Sequence, residues 1–135
     1  MTYWLVNSGT TEDPWDRGTD VRKRYTDWNR ENGNFQMFPS RFGVRRGDVL
    51  IHRAVGARPS RLLAVAVVTS DIHRGKNDRW PFQVERTLTH VVHVFDEAPT
   101  IDAIGERWVR VAKRISDEAG QRAEELIARA GGTPL

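Results

Sequence analysis

The 135 residues of this chain match the usual size of one domain, and we predict a single domain over residues 1–135. Hydrophobic residues make up 39% and charged residues 29%, a balance that excludes a disordered chain and an integral membrane protein. The absence of cysteine excludes disulfides and thiol catalysis, and we expect a monomeric, cytoplasmic protein without a cofactor or a membrane partner.

Positive charge is concentrated in the middle of the chain. Between Arg17 and Arg61 there are 11 Lys or Arg residues and 4 Asp or Glu residues, whereas the rest of the chain has 10 and 14. Such asymmetry is typical of a surface that binds a polyanion, because neutralising phosphates releases counterions. However, arginine outnumbers lysine 18 to 3, and a GC-rich genome enriches arginine without selection for binding. Charge alone therefore leaves a nucleic acid partner and a solvated surface both open.

The first part of the chain predicts one strand, a loop and one helix. Residues 3–6 are rich in β-forming side chains and end in a turn cluster, which indicates a strand. Residues 10–18 contain proline and glycine and are typical of a loop. Val21, Tyr25 and Trp28 then recur at helical spacing, which predicts a short amphipathic helix with these side chains on one face.

The central part predicts two further strands. We expect the helix to end at residues 32–34, where asparagine and glycine cluster, and residues 35–43 to be irregular. A strand is predicted over residues 49–52, directly after a Gly-Asp turn. A continuous apolar run over residues 62–69 predicts a strand buried on both faces, and a polar loop follows over residues 71–79.

The last part predicts a long strand and a second helix. Residues 82–85 and 88–95 have strand character and indicate one strand bent near Arg86. Ser116 has the features of a helix N-cap, and an apolar repeat with helical spacing follows until Gly131. Together the elements predict an α+β fold, a small antiparallel or mixed β-barrel flanked by helices.

Motifs for catalysis and metal binding are absent from the sequence. No phosphate-binding loop, zinc-protease motif or nucleophile elbow occurs, so we predict no catalytic residue. His90 and His93 lie three residues apart in a strand and point to opposite faces, so they cannot share a metal, and we predict no metal site. An acid–base site built from Lys76, Glu85 or Asp48 stays open, because sequence separation does not report spatial distance.

Five tryptophans carry the strongest functional signal. Trp15, Trp28 and Trp80 have polar or proline neighbours on both sides, and an indole at the end of an element can stack on a planar ligand. The alternative is that each caps the barrel, and Trp28 also lies on the apolar stripe of the predicted helix. Trp4 is assigned to the core. The roles of Trp15 and Trp108 stay open.

The order of several short motifs resembles the EVE domain family, which belongs to the PUA-like superfamily together with the YTH and ASCH domains. The motifs that carry the resemblance span the chain: Tyr3-Trp4-Leu5-Val6, Trp28, Arg45-Arg46-Gly47-Asp48-Val49-Leu50-Ile51-His52, Leu63-Ala64-Val65-Ala66-Val67-Val68, Arg79-Trp80-Pro81-Phe82 and Glu106-Arg107-Trp108. The resemblance implies a PUA-like barrel that recognises a modified base in DNA or RNA, with the base inserted into an aromatic pocket.

The resemblance also implies positions for the site. Trp28 and Trp80 match the pocket tryptophans. The first and second strands meet the pocket at four further residues, Asn7, Ser8, His52 and Arg53. One methyl group contributes only about 0.8 kcal/mol, so selectivity also requires polar contacts to the base edge, for which Asn7, Ser8 and Asn29 are candidates. We expect Arg41, Arg45 and Arg46 to hold the phosphate backbone.

Two other functions stay open at this point. One is an ASCH-like hydrolase that removes an acyl group from a modified nucleoside, which requires a lysine and a carboxylate in the pocket. Lys23, Lys76 and Lys113 are the lysines available. The other is a protein-interaction domain whose tryptophans are all buried in the core.

Overall fold

The chain forms one sheet and two α-helices in a computed structural model that describes residues 1–107 and 110–135. The strands are β1 (Tyr3–Ser8), β2 (Phe35–Phe38), β3 (Val49–Ala54), β4 (Leu62–Val68), β5 (His73–Arg74), β6 (Phe82–Val91) and β7 (Ala112–Ile115). The helices are α1 (Val21–Asn32) and α2 (Asp117–Arg129), with short 3-10 helices at Phe95–Glu97 and Ile101–Ile104.

The sheet is mixed and curls strongly into a half-barrel. Its strand order is β2-β6-β4-β3-β1-β7, and β5 also pairs with β6. β1 and β3 run parallel, whereas the other neighbours run antiparallel. The predicted α+β class and the predicted barrel-like sheet flanked by helices are confirmed. The single strand predicted around Arg86 is also found, as β6.

Several elements differ from the sequence prediction; the polar loop expected over residues 71–79, for example, contains β5, which pairs with β6. Residues 35–43 were expected to be irregular, but Phe35–Phe38 form β2, because this segment pairs antiparallel with the distant β6. The strand expected over residues 88–95 ends at Val91, and Phe95 begins a 3-10 helix. The local pattern of residues 35–38 does not contain their pairing with β6.

The helices begin and end as their sequences indicate. The Asp20 carboxylate caps α1 by accepting from the backbone N–H of Lys23 at 3.0 Å, and α1 ends at Gly33 with a φ of 75°. Ser116 caps α2 in the same way, accepting from the backbone N–H of Ala119 at 3.0 Å. Within residues 1–107 and 110–135, no helix is long and apolar enough to cross a membrane.

Trp15 belongs to the core, which answers a question that the sequence left open. Only 1% of its surface is exposed. Its indole is stacked on the ring of Phe95 at a centroid distance of 6.1 Å and tilted against Tyr25 at 5.7 Å, and the Arg24 guanidinium lies 4.2 Å from its centroid. Trp15 therefore fixes the loop before α1 against the sheet.

Trp4 packs at the edge of the core, at the other end of β1 from Ser8. Its ring meets Phe42 edge-on at 5.0 Å, and its indole N–H donates to the buried Asp48 carboxylate at 3.0 Å. Asp48 also accepts from the backbone N–H groups of Thr2 and Arg45, both at 2.9 Å. These bonds give the Asp48 carboxylate a structural role. Trp108 lies outside the described residues.

Helix α2 packs closely on β1 at Gly120, and this contact yields a stability prediction. A Cβ at Gly120 would overlap the ring of Tyr3, which is buried. Alanine favours helix formation over glycine by about 1 kcal/mol, but overpacking a rigid core costs about 1–3 kcal/mol. We therefore expect Gly120→Ala to lower the free energy of unfolding in urea, whereas Ala at the exposed neighbour Gln121 leaves it unchanged. An equal or higher value for Gly120→Ala contradicts this packing.

Candidate functional site

An open cavity of about 750 Å³ lies where the C-terminal end of β1 meets α1 and β2. Residues 9–13 and 79–80, from two loops, complete its rim. This volume is in the range of pockets that hold a small molecule. We therefore take this cavity, called the pocket from here on, as the candidate functional site.

The pocket brings together five of the seven residues expected in it. These five are Asn7, Ser8, Trp28, Arg53 and Trp80. Of the other two, His52 is fully buried behind the pocket wall, and Asn29 contacts a wall residue from behind.

Trp28 presents its indole to the pocket. Its ring N–H donates to the backbone carbonyl of Phe35 at 2.9 Å, which fixes the orientation of the ring. With 38% of its surface exposed, Trp28 leaves the core that Val21 and Tyr25 occupy on the same helix. The pairing of β2 with β6 positions Phe35, so this strand also orients the tryptophan.

Trp80 is half-buried in a loop that a small hydrogen-bond network holds. The Asn77 side-chain oxygen accepts from the backbone N–H groups of Arg79 and Trp80, both at 2.9 Å. The Arg79 guanidinium lies 5.2 Å from the Trp80 ring centroid and 2.8 Å from a carboxylate oxygen of Glu12. Its hydrogen bond lowers the pKa of the Glu12 carboxyl. The ion pair joins the two loops of the pocket rim.

Asn7 and Arg53 form a wall of the pocket by bonding to each other. The Arg53 Nε donates to the Asn7 Oδ1 at 2.7 Å, and the Asn7 Nδ2 donates to the carbonyl of Arg110 at 2.9 Å. Arg53 is buried, which lowers its pKa, and its Nη1 also donates to the Ser60 hydroxyl at 3.3 Å. The Asn7 amide, expected to read a base edge, is thus engaged at both its oxygen and its nitrogen.

Ser8, Tyr25 and His52 form a buried hydrogen-bonded chain. The Tyr25 hydroxyl lies 2.9 Å from the Ser8 hydroxyl and 2.9 Å from the Nδ1 of His52. Burial, together with the nearby charge of Arg86, lowers the pKa of His52 to about 3. Burial raises the pKa of Tyr25 to about 12. Both rings are therefore neutral at pH 7.

Arg86 borders the pocket from β6, although only 1% of its surface is exposed. Its Nη1 donates to the side-chain oxygen of Asn29 at 2.9 Å. Its Nε and Nη2 have no hydrogen-bond partner in the described part of the chain. Burial lowers the pKa of Arg86 to about 10, so it still carries its charge at pH 7.

From the sequence, only a bend was predicted at Arg86, and its place at the pocket was not predicted. Val84, Arg86 and Leu88 alternate along β6, and all three are buried on the same face. That alternation is visible in the sequence and indicates an inward arginine. An arginine that takes a core position in a strand is rare unless it is paired, so it is itself a functional signal.

The three arginines expected on the phosphate backbone are exposed, but none of them borders the pocket. Arg45 and Arg46 precede β3, at the end of the strand opposite Arg53. A six-residue strand is about 17 Å long. Arg41 packs its guanidinium 4.9 Å from the ring centroid of Phe82. The basic side chains that do border the pocket are Lys23, Arg24, Arg53, Arg79, Arg86 and Arg110.

A lysine and a carboxylate also meet at the pocket rim. The Nζ of Lys23 lies 2.7 Å from the Oδ2 of Asp27, one turn further along α1, and both residues border the pocket. This hydrogen bond lowers the pKa of the Asp27 carboxyl. Lys113 instead pairs with Glu106 at 2.7 Å. No cluster of three or more His, Cys, Asp or Glu side chains suited to a metal occurs among the described residues.

No model of a known protein family matches this chain, and no curated protein matches it either. A solved structure of a hypothetical protein from Leishmania major is similar over 97% of each chain, with a TM-score of 0.57 and 11% sequence identity. At that identity the similarity shows a shared fold alone. A shared fold does not determine function, which depends on the residues of the site.

His52 gives the protein a defined pH dependence of stability. The unfolded chain protonates this histidine near pH 6.5 and the folded chain only near pH 3. Between these values the unfolded state binds the extra proton, so stability falls as the pH falls, by at most about 1.4 kcal/mol per pH unit from this group.

Urea unfolding between pH 6.5 and 4.5 measures this effect. The matched variant is His52→Gln, whose side-chain oxygen can accept a hydrogen bond from the Tyr25 hydroxyl. We expect the variant to be less stable at pH 7 and to lose less stability per pH unit than the wild type. Parallel stability curves for the two proteins would show that His52 is not the titrating group.

Proposed function

We propose that this chain binds a modified nucleobase of DNA or RNA in the pocket and does not transform it. The observation that carries the proposal is an open cavity bordered by three tryptophans, the buried Trp15 and the more exposed Trp28 and Trp80, with basic side chains around it. The proposal also places the chain with the EVE family of the PUA-like superfamily, which its sequence motifs resemble.

Stacking supplies the affinity for the base in this proposal. A base that leaves the stack loses a few kcal/mol, and stacking on an aromatic side chain returns about 1–3 kcal/mol per base. The indole of Trp28 is suited to this contact because its ring is oriented by the bond to Phe35 before the ligand arrives. A base that is already single-stranded avoids the cost of unpairing, so we expect single strands to bind more tightly.

Exposed basic side chains at the rim would contact the phosphates on either side of the bound base. Arg79 and Lys23 border the pocket, and their side chains are largely exposed. Arg110 borders it as well. These residues replace the predicted trio of Arg41, Arg45 and Arg46 next to the pocket, and the trio is left to contact more distant parts of a strand. Such contacts add affinity without reading sequence.

The pocket argues against the reading of this chain as a plain protein-interaction domain. That reading requires all the tryptophans to lie in the core, as Trp15 does. Trp28 is 38% exposed, and the indole borders an open cavity instead.

Removing either indole should weaken binding without unfolding the protein. We expect Trp28→Ala and Trp80→Ala each to weaken binding by about 1–3 kcal/mol. The measurement is fluorescence anisotropy with single-stranded oligonucleotides that carry one modified base each. Trp4→Phe, at the far end of β1, is the matched control and should bind like the wild type.

Two results would contradict the proposal. If both pocket variants bind like the wild type, the base does not stack on these tryptophans. If the wild type binds no oligonucleotide of the panel, the pocket does not hold a nucleobase. Thermal unfolding of each variant verifies that a loss of binding does not reflect a loss of fold.

Acyl hydrolysis is the second candidate function, because Lys23 and Asp27 place a lysine and a carboxylate at the rim. Their ion pair lies in solvent on the surface of α1, and the lowered pKa of Asp27 makes its carboxylate a weaker base. Binding is therefore the better supported function.

Incubation with an N-acylated nucleoside distinguishes the two functions. We expect no release of the acyl group above the rate in buffer, because the lysine is ion-paired and the carboxylate is a weak base. Release that disappears in Lys23→Ala would favour the hydrolase. Arg30→Ala, which removes another exposed cation that pairs with Asp27, is the control.

A further inference from the structure

Arg86 is a buried cation whose charge no carboxylate balances. Among the described residues no ion pair involves it. Its neighbours Tyr25 and His52 are neutral, and its one bonded partner, Asn29, is neutral as well. Burying an arginine without a partner is costly, so a protein that keeps one beside a cavity gains from having its charge there.

The other polar side chains at this end of the pocket are already engaged. Asn7 bonds to Arg53 and Arg110, and the Ser8 hydroxyl bonds to Tyr25. These side chains form part of the pocket wall. They could bind the edge of a base only if their hydrogen bonds within the protein were broken. The Nε and Nη2 of Arg86 face no such competition from the part of the chain that the structure describes.

We propose, on the basis of the proposed function, that Arg86 selects bases that present two adjacent acceptors in the plane of the ring. Nε and Nη2 lie along one edge of the planar guanidinium and donate in parallel, so they match a pair of acceptors and not a donor beside an acceptor. Stacking on Trp28 and Trp80 does not discriminate between bases, so in this proposal the selectivity comes from the hydrogen bonds of Arg86.

Two kinds of base carry such a pair. A guanine-type base presents O6 and N7, which is the edge that arginine reads in the major groove. A base with a carboxylate substituent presents two oxygens and also brings the negative charge that Arg86 lacks. An adenine-type base has an amino donor next to N7, and this amino group would face one of the two N–H donors of Arg86. The inference thus excludes adenine-type ligands.

Asn29 acts as a positioning residue for this contact. Its side-chain oxygen accepts from Nη1 at 2.9 Å, which leaves Nε and Nη2 as the donors without a partner in the described part of the chain. Asn29 was expected to read the base itself, and in this proposal it acts through Arg86. Asn29→Asp keeps the shape and the accepting oxygen and adds a negative charge beside the guanidinium.

The first test uses the wild-type protein and two matched pairs of oligonucleotides. The test base is guanine or 7-deazaguanine in one pair, and 5-carboxycytosine or its neutral carboxamide in the other, each in the same thymine strand. We expect the acceptor-pair member to bind about tenfold more tightly or better within at least one pair, since hydrogen bonds to a charged group are strong. The pair that responds tells which source supplies the acceptors.

The second test uses Asn29→Asp, with Gln121→Glu on the exposed face of α2 as the matched amide-to-carboxylate control. We expect Asn29→Asp to reduce the preference within the responding pair by about tenfold, because the new carboxylate neutralises Arg86. The loss should be larger for 5-carboxycytosine, which the new charge also repels. The control should keep the wild-type preference.

The outcomes separate this inference from the proposed function. Binding that requires Trp28 but shows no preference within either pair overturns the role of Arg86 and leaves the pocket as a base site. An unchanged preference in Asn29→Asp overturns it too. If the wild type binds none of the strands, both proposals fail. Arg86→Lys, which keeps the charge but loses the paired donors, should abolish the preference wherever it folds.

Discussion

The pocket depends on the burial of Arg86 among neutral neighbours. The guanidinium sits where β6 meets α1. Burial, together with the nearby charge of Arg86, lowers the pKa of His52 to about 3. His52 in turn stays bonded to Tyr25, and Tyr25 to Ser8 at the end of β1. Burial, with a contribution from the Arg86 charge at His52, therefore keeps both His52 and Tyr25 neutral at pH 7. Burying such a charge costs several kcal/mol of folding free energy.

Trp15 and Trp28 both border the pocket, but different contacts cover them. Both lie in polar surroundings in the sequence, but Trp15 is covered by Phe95 on one face and by Arg24 on another. Trp28 has its ring N–H fixed by Phe35 while its indole stays 38% exposed. The difference is made by β2, because this strand carries Phe35 to the end of α1. Through this contact, β2 holds Trp28, a residue on the apolar face of α1, in the pocket wall.

Most of the fold could be predicted from the sequence, because periodicity and caps report local structure. The helices and the strands β1, β3, β4 and β6 follow from apolar spacing and turn residues. The short strands β2, β5 and β7 were not predicted, since each becomes a strand only by pairing with β6 or β1. The parallel pairing of β1 with β3 was missed for the same reason. Both depend on contacts between distant parts of the chain.

The site was partly predictable, for a different reason. Residue type and neighbours indicated Trp15, Trp28 and Trp80, and the structure puts all three on one cavity. Charge density pointed to Arg45 and Arg46, but density along the chain does not report which end of a strand a residue occupies. Arg86 was overlooked because arginine is expected on the surface, although it alternates with buried valine and leucine in β6.

In the proposed function, the exposed cations at the rim and the buried Arg86 differ in how strongly salt screens their attraction to the ligand. Rim residues such as Arg79 lie in solvent, and salt at physiological strength screens their attraction to phosphates beyond about 8 Å. Arg86 is buried, so its attraction to a base inside the pocket is screened much less. Added salt should therefore weaken binding to every strand by a similar factor and leave the ratio between two bases nearly constant. Affinity and selectivity are separable because they arise at different depths of the same pocket.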